Sequence, residues 1–454
     1  MSKQDYDAVI VGAGIGGLMT AAGLLHTGKR KILVLEKGTF IGGKYTELDY
    51  KGYKITTGSW TSIGKKSNIG RFCQEVGANV KYITLRQMKK KGIGHGLFSK
   101  LRYTDGNEYS PTSTQKSPFT GKEEEEWTMM LMGLTAKKLE GIDRSKNVSV
   151  RQYGENFTKS EDIMRIMDSL IGTAACLNAD TIPTSEFKII MEEGFRLASA
   201  RFGFPVGGVR GIIDALEKVI KEKGGEIRTK CNVEKIHIDN NCATGVELSD
   251  GETINSKIVV HNAGPRRFLE LGGRKNFPSE LIKKIDNLIP VEAVAIILGL
   301  NKPISKDMPL ILTPDCERIV GIFEPTFFGA EAGVAPPGKT MIDLFCPIKT
   351  QNIKKEVDLA IEDIQNLYPG ILDKSNLDFQ QNMIFYKDTP AAESGQTFNQ
   401  TGDDRINPKT PVDNLYFVGF DAHGSGIAGD LIPINVRKAL NHILKTEKWL
   451  KVTI

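Results

Sequence analysis

Apolar residues fall along this chain in runs of different spacing, and each spacing predicts a different element. Residues 8–11 and 32–35 are short unbroken apolar runs, the pattern of strands buried on both faces. Between them a glycine-rich turn leads into helix-forming residues 18–26, so residues 7–45 read as a βαβ unit. Residues 66–77 predict a short helix closed by a glycine. Residues 81–109 read as strands around a basic, glycine-rich loop, with a tight turn at Asp105-Gly106.

The period then lengthens. From Glu123 to about Leu197 the pattern is helical, and Glu123, Glu124, Glu125 and Glu126 form an acidic first turn ahead of Trp127, Met129, Met130, Leu131 and Met132. Ile212, Leu216, Val219 and Ile220 mark an amphipathic helix between Gly207-Gly208 and Gly224-Gly225. Three strands follow, joined at Asn240-Asn241 and Asp250-Gly251. Strands are expected at 294–298 and 341–345, a helix at 356–367, and a last strand at 415–418 before a glycine-rich segment and a final helix.

The first turn carries candidate chemistry. Gly12, Gly14 and Gly17 form G-x-G-x-x-G directly after a strand. The first glycine permits a tight turn, the second a close approach to a pyrophosphate, and the third tight helix packing, so the helix N–H groups face the phosphates. Glu36 closes the second strand, where a carboxylate accepts both hydroxyls of an adenosine ribose and repels a 2′-phosphate; NADP is disfavoured. Six residues further on, Gly42 and Gly43 with Lys44 offer a second bare stretch of backbone.

Bulk properties narrow the class. A length of 454 residues implies two or three domains, and 40% apolar with 25% charged residues is ordinary for a globular protein. The net charge of +5 argues for neither nucleic acid nor an acidic partner. Cys73, Cys176, Cys231, Cys242, Cys316 and Cys346 are scattered without C-x-x-C spacing and read as reduced thiols. No apolar run approaches the ~18 residues of a membrane span, and no signal peptide is visible. The expected location is cytoplasmic, with contact to the inner face of a membrane as an option. That option comes from Lys89, Lys90, Lys91, Lys100 and Arg102 flanking Ile93, Leu97 and Phe98. A solvated hairpin is the preferred reading of the same segment. His95, His237 and His261 read as loop or packing residues, and no metal-ligand cluster or nucleophile motif is found.

In three blocks (7–60, 204–265 and 414–444) the chain resembles the FAD-dependent amine oxidase and phytoene desaturase superfamily. The carriers are the glycine turn with E-K-x-x-x-x-G-G-K, the P-x-G-G helix followed by G-G-E-I and V-x-N-A-x-P, and a terminal strand, glycine loop and helix. Departures are Lys44 where Arg is usual, Thr56 where an acid is usual, and His423-Gly424-Ser425-Gly426-Ile427-Ala428-Gly429, one residue shorter than the loop of carotenoid desaturases. The resemblance implies an α/β fold. A Rossmann-type FAD-binding domain with a parallel sheet and a β-meander (1–80, 204–270, 405–454) would be interleaved with a mixed α+β substrate domain with a helical cap (81–203, 271–404).

It also implies a cofactor site. Gly12, Ala13, Gly14, Ile15, Gly16, Gly17, Glu36, Lys37, Gly42, Gly43, Lys44, Gly58 and Ser59 would hold the dinucleotide. Val233 would bracket the adenine, and Ala263 would lie against the dinucleotide. Near the flavin, Gly419, Asp421 (the ribityl acceptor), Gly426 and Ile427 (a backbone donor) would complete it. For Phe202 and Phe204, lining the flavin and plain packing are both open. Methionine-rich helices suit a lipid-like substrate.

The expected activity is hydride transfer between flavin N5 and a C–C bond of an apolar, isoprenoid-like molecule, in either direction. The alternatives are amine oxidation at a C–N bond, redox-neutral isomerisation, and a non-enzymatic FAD electron-transfer subunit. With one dinucleotide unit, the electron acceptor is expected to be a quinone, oxygen or another redox protein. No catalytic acid or base is assigned.

Overall fold

The computed structural model describes residues 6–58, 60, 64–96, 98–110, 117–135, 148–198 and 202–445. Five parallel strands form one sheet in the order Leu415–Phe417, Val259–His261, Ala8–Val11, Ile32–Leu35 and Glu226–Arg228. Their register puts Phe417, His261, Val11, Leu35 and Arg228 in a single row. Because the strands are parallel, the residues that follow this row all emerge at one carboxyl edge. The first two strands are the predicted apolar runs, residue for residue.

One face of this sheet is covered by helices Ile15–His26, Asn68–Val76, Arg210–Glu222 and Ile432–Leu444. The opposite face packs on an antiparallel meander of Val233–Asp239, Cys242–Leu248 and Thr253–Asn255, with Phe268 and Leu269 filling the gap. Both predicted turns join these meander strands. The early helix starts three residues ahead of expectation, because the glycine motif itself supplies its first turn.

A second, seven-stranded sheet runs in the order Leu377–Phe385, Ala293–Leu300, Thr340–Pro347, Gly321–Phe323, Leu310–Leu312, Ser99–Arg102 and Glu108–Tyr109. It is antiparallel except where Leu310–Leu312 lies parallel to Ser99–Arg102. One face buries Ile296, Ile342 and Leu344 against helix Ile353–Leu367. The other faces helices Lys122–Thr135, Glu161–Ala175 and Thr184–Ala198 through a large aromatic and methionine-rich core.

The basic segment differs from expectation. Residues 85–90 are a helix, not a strand, because Thr84 and Gln87 make both hydrogen bonds of a capping box. Lys100 is buried between Glu108 and Asp307, and Arg102 pairs with Glu108 and stacks on Tyr368. These two cations serve the sheet and are not offered to a membrane. Leu97 lies outside the described residues. No described helix is long and apolar enough to cross a membrane. All six cysteines are free.

Candidate functional site

The row Phe417–His261–Val11–Leu35 ends in Gly419, Asn262, Gly12 and Glu36, and these residues define the site. Gly12 turns with φ +100°, a conformation that disfavours a side chain. A Cβ on Gly17 would stand 2.2 Å from the Gly12 carbonyl oxygen, so the helix can pack this closely only on glycine. Helix Ile15–His26 has Gly14 at its N-cap with no side-chain cap. Its N-terminal dipole therefore opens onto the carboxyl edge, as a phosphate ligand requires. Ala13 and Ile15 are buried beneath the turn, whereas Gly12 and Gly14 are partly exposed.

Glu36 bends back toward this turn. One carboxylate oxygen accepts from Ala13 N–H at 3.0 Å and the other from Gly38 N–H at 2.8 Å. Lys37 points outward and is exposed. The Gly42 N–H donates to the Ala13 carbonyl at 2.8 Å, pinning the second glycine pair to the first. Gly43 comes so near that a Cβ on it would touch Gly14 Cα at 3.3 Å. The Thr57 hydroxyl ties this pair to the next hairpin by donating to the Gly43 carbonyl, and Gly58 packs on Lys44. Thr56 accepts from Gly58 N–H, a local turn contact in the place of the usual acid. Ser59 lies outside the described residues.

The residue that sequence reasoning missed here is Asn262. Its amide Nδ2 donates to the Gly12 carbonyl at 3.3 Å. A Cβ added at Gly14, Gly16 or Gly419 would collide with the same side chain at 2.6–2.8 Å. One asparagine thus fills the junction of the first, second and third blocks. It stands next to Ala263 in V-x-N-A-x-P, so the motif carries its signal. His261 before it is fully buried; its Nε2–H donates to the Gly264 carbonyl at 2.9 Å. Burial pushes this imidazole down to about 4, which makes it a neutral packing residue.

Two of the backbone groups assigned to the cofactor have protein partners in this structure. The Val233 carbonyl accepts from the Arg267 guanidinium at 3.0 Å, so part of the backbone expected at an adenine is already engaged. The Ile427 N–H, expected to face a flavin, donates to Glu193 at 3.0 Å, and Gly426 N–H donates to Glu186 at 3.1 Å. Both carboxylates come from helix Thr184–Ala198, more than two hundred residues away, and no spacing rule links them to the glycine loop. Burial pushes the Glu186 carboxyl up, against the pull of its donors Ser425, Gly426 and Gln396.

A loop at 388–406 supplies the remaining polar groups. Lys44 Nζ donates to the Pro390 carbonyl at 2.8 Å and the Ala391 carbonyl at 2.5 Å, a use that needs a cation but not a forked guanidinium. Asp421 accepts from Ser394 N–H at 2.7 Å. Glu393 accepts from Arg266 N–H at 3.0 Å; burial and the nearby Asp421 push its carboxyl up. Arg405 is buried and donates to the carbonyls of Ala422, Gln400, Ser394 and Phe420, which fixes the loop beneath the third block. Glu47 does a similar service for the second block, accepting from Val209 N–H at 2.8 Å just ahead of helix Arg210–Glu222. Burial pushes Glu47 up to about 7.

The aromatic core of the seven-stranded sheet adjoins this edge. Phe204 stacks on Phe328 at 5.2 Å and 12°, and Trp60 lies 6.0 Å from Phe204 and 6.1 Å from Phe323. Phe202 stacks on Phe328, so both early phenylalanines are core members of this cluster. Ile427 packs against the same core, which joins the glycine loop to it. A separate cavity of about 630 Å³, lined by Thr104, Asp315, Glu317 and Asp363, is polar and sits beside helix Ile353–Leu367, away from this cluster. Among the described residues no group of His, Cys, Asp and Glu could hold a metal ion.

Comparison with known proteins agrees with this geometry. A family model described as flavin containing amine oxidoreductase matches residues 15–429. An uncharacterised protein of Methanocaldococcus jannaschii is 29% identical over 96% of this chain and 98% of its own length. The chloroplastic prolycopene isomerase of Daucus carota is 26% identical over 58% of this chain; the match spans 46%, about half, of that relative. The crystal structure of an oxidoreductase from Methanosarcina mazei superposes with a TM-score of 0.80 at 25% identity, covering 96% of this chain and 100% of that one.

Proposed function

Because the chain belongs to the flavin containing amine oxidoreductase family, we propose that it binds FAD along the carboxyl edge of the parallel sheet. There it catalyses hydride transfer to or from a C–C bond of an apolar, isoprenoid-like substrate. The carrying observation is the convergence of two distant glycine segments, Gly12 to Gly17 and Gly419, on Asn262 of the block between them, beside a core of Trp60, Phe204, Phe323 and Phe328. The donor set suits the dinucleotide: an uncapped helix N-terminus for the pyrophosphate and Glu36 for the ribose. Gly12, Gly14, Gly43 and Ala263 supply backbone that is at least partly exposed at the same edge. Bound flavin supplies the hydride chemistry. The protein holds it, orients it and keeps water from the apolar side.

In this assignment Asp421 and Lys44 sit at the flavin end, and Glu193 gives up the Ile427 N–H when the cofactor binds. The electron acceptor is a quinone, oxygen or another redox protein. Two further readings each have an observation behind them. The buried carboxylates Glu186 and Glu193 suit a cationic amine, and the carrot relative suits a redox-neutral isomerisation. The test is anaerobic mixing of the purified yellow protein with phytoene, prolycopene and putrescine while flavin absorbance is followed. Bleaching by phytoene supports desaturation, and bleaching by putrescine alone overturns it. Conversion of prolycopene without bleaching selects isomerisation.

A further inference from the structure

Asp343 is the outlier of the aromatic core. It sits in strand Thr340–Pro347 on the same face as Met341, in register with Ile297 and Phe323, and is 1% exposed. Oδ2 accepts from the Trp60 indole N–H at 2.5 Å, while Oδ1 is buried with no hydrogen-bond partner among the described residues. An unpaired carboxyl oxygen among aromatic rings costs stability, and cores seldom retain one without a use. Trp60 follows Gly58, which packs on Lys44 at the glycine edge, so the carboxyl is anchored by the segment that borders the dinucleotide groove.

We propose that Asp343 is the proton-handling residue of this site, with Trp60 positioning it so that Oδ1 faces the substrate. This rests on the flavin reading above. Removing two hydrogens from adjacent carbons separates a hydride from a proton. Bound flavin would supply the hydride acceptor. Oδ1 takes the proton, and the electron pair of that C–H bond becomes the new π bond. In the saturating direction the same oxygen returns the proton to carbon. Burial pushes Asp343 up to about 7, against the pull of Trp60, which suits a group that must both take and give a proton at neutral pH. The groups that sense its charge are the Cys176 and Cys346 thiols, both pushed up by burial and therefore neutral.

The test needs no identified substrate. In the FAD-loaded protein, infrared difference titration is expected to show a protonated-carboxyl band that disappears as pH rises through neutrality. Glu47 and Glu324, both pushed up to about 7 by burial, contribute to the same band; the part due to Asp343 is lost in Asp343→Asn and shifted in Trp60→Phe. The flavin midpoint potential, measured against pH, is expected to change slope near neutral pH in the wild type and to lose that break in Asp343→Asn. Identical potential curves for wild type and Asp343→Asn, or a carboxyl band of undiminished area in the variant, overturn the proposal. A colourless protein that takes up no FAD overturns the flavin reading instead, and the infrared band still reports on Asp343 in that case.

Discussion

The carboxyl edge of the parallel sheet and the aromatic side of the seven-stranded sheet are built on opposite means. At the edge, backbone does the work: glycines come within collision distance of one asparagine, and helix N–H groups and carbonyls supply the polarity. In the core, side chains do it: Trp60, Phe204, Phe323, Phe328 and Asp343 arrive from separate segments and owe their places to packing. Backbone sites tolerate no added atom. Side-chain sites tolerate exchange but pay in cavities and unpaired charge.

Five substitutions break or sharpen that contrast. Phe204→Ala, which empties a fully buried ring position, is expected to cost about 3–5 kcal/mol in denaturant unfolding. Asp343→Asn goes the other way. The folded-state value lies above that of the unfolded chain, so wild-type stability falls as pH rises from about 4 to about 7 and stays low above that. The variant should therefore be more stable by on the order of 3–4 kcal/mol at pH 8, with the gain shrinking toward pH 4, as thermal unfolding across pH will show. Gly17→Val is expected to cost about 3 kcal/mol and to yield protein without yellow colour, since its Cβ meets backbone that cannot retreat. Glu36→Gln leaves one of two backbone N–H groups without its acceptor and should weaken FAD reconstitution about 10- to 100-fold while costing about 1 kcal/mol of stability. Asn262→Ala should cost about 1 kcal/mol and speed FAD release, because the glycines it wedges apart lose their common spacer.

The same contrast explains what could be read in the chain. The two apolar runs, the glycine turn and Glu36 were legible because strand, turn and helix are local, and their spacing is set by backbone geometry. The meander was legible from its turn residues. Glu186 and Glu193 are not, because each meets its partner across more than two hundred residues; Ser394 and Arg405 bond within an irregular loop, where a lone Ser or Arg carries no period. The helix at 85–90 carries a fainter signal: Thr84-x-x-Gln87 is a capping box, but the six residues of the helix are too few to show a helical period. Asp343 reads as an ordinary strand residue, and its burial, its Trp60 contact and its partnerless oxygen among the described residues set it apart.

The single row Phe417–His261–Val11–Leu35–Arg228 also has a consequence for biosynthesis. Strand Ala8–Val11 waits for a neighbour about 250 residues downstream, and that neighbour waits again for Leu415–Phe417. Until then the nascent chain exposes apolar strand edges, the surface that chaperones cover and aggregates exploit. Nearly the whole polypeptide must leave the ribosome before the groove can close, so a chain cut short at about residue 400 is expected to emerge as a client of the folding machinery, not as a smaller flavoprotein.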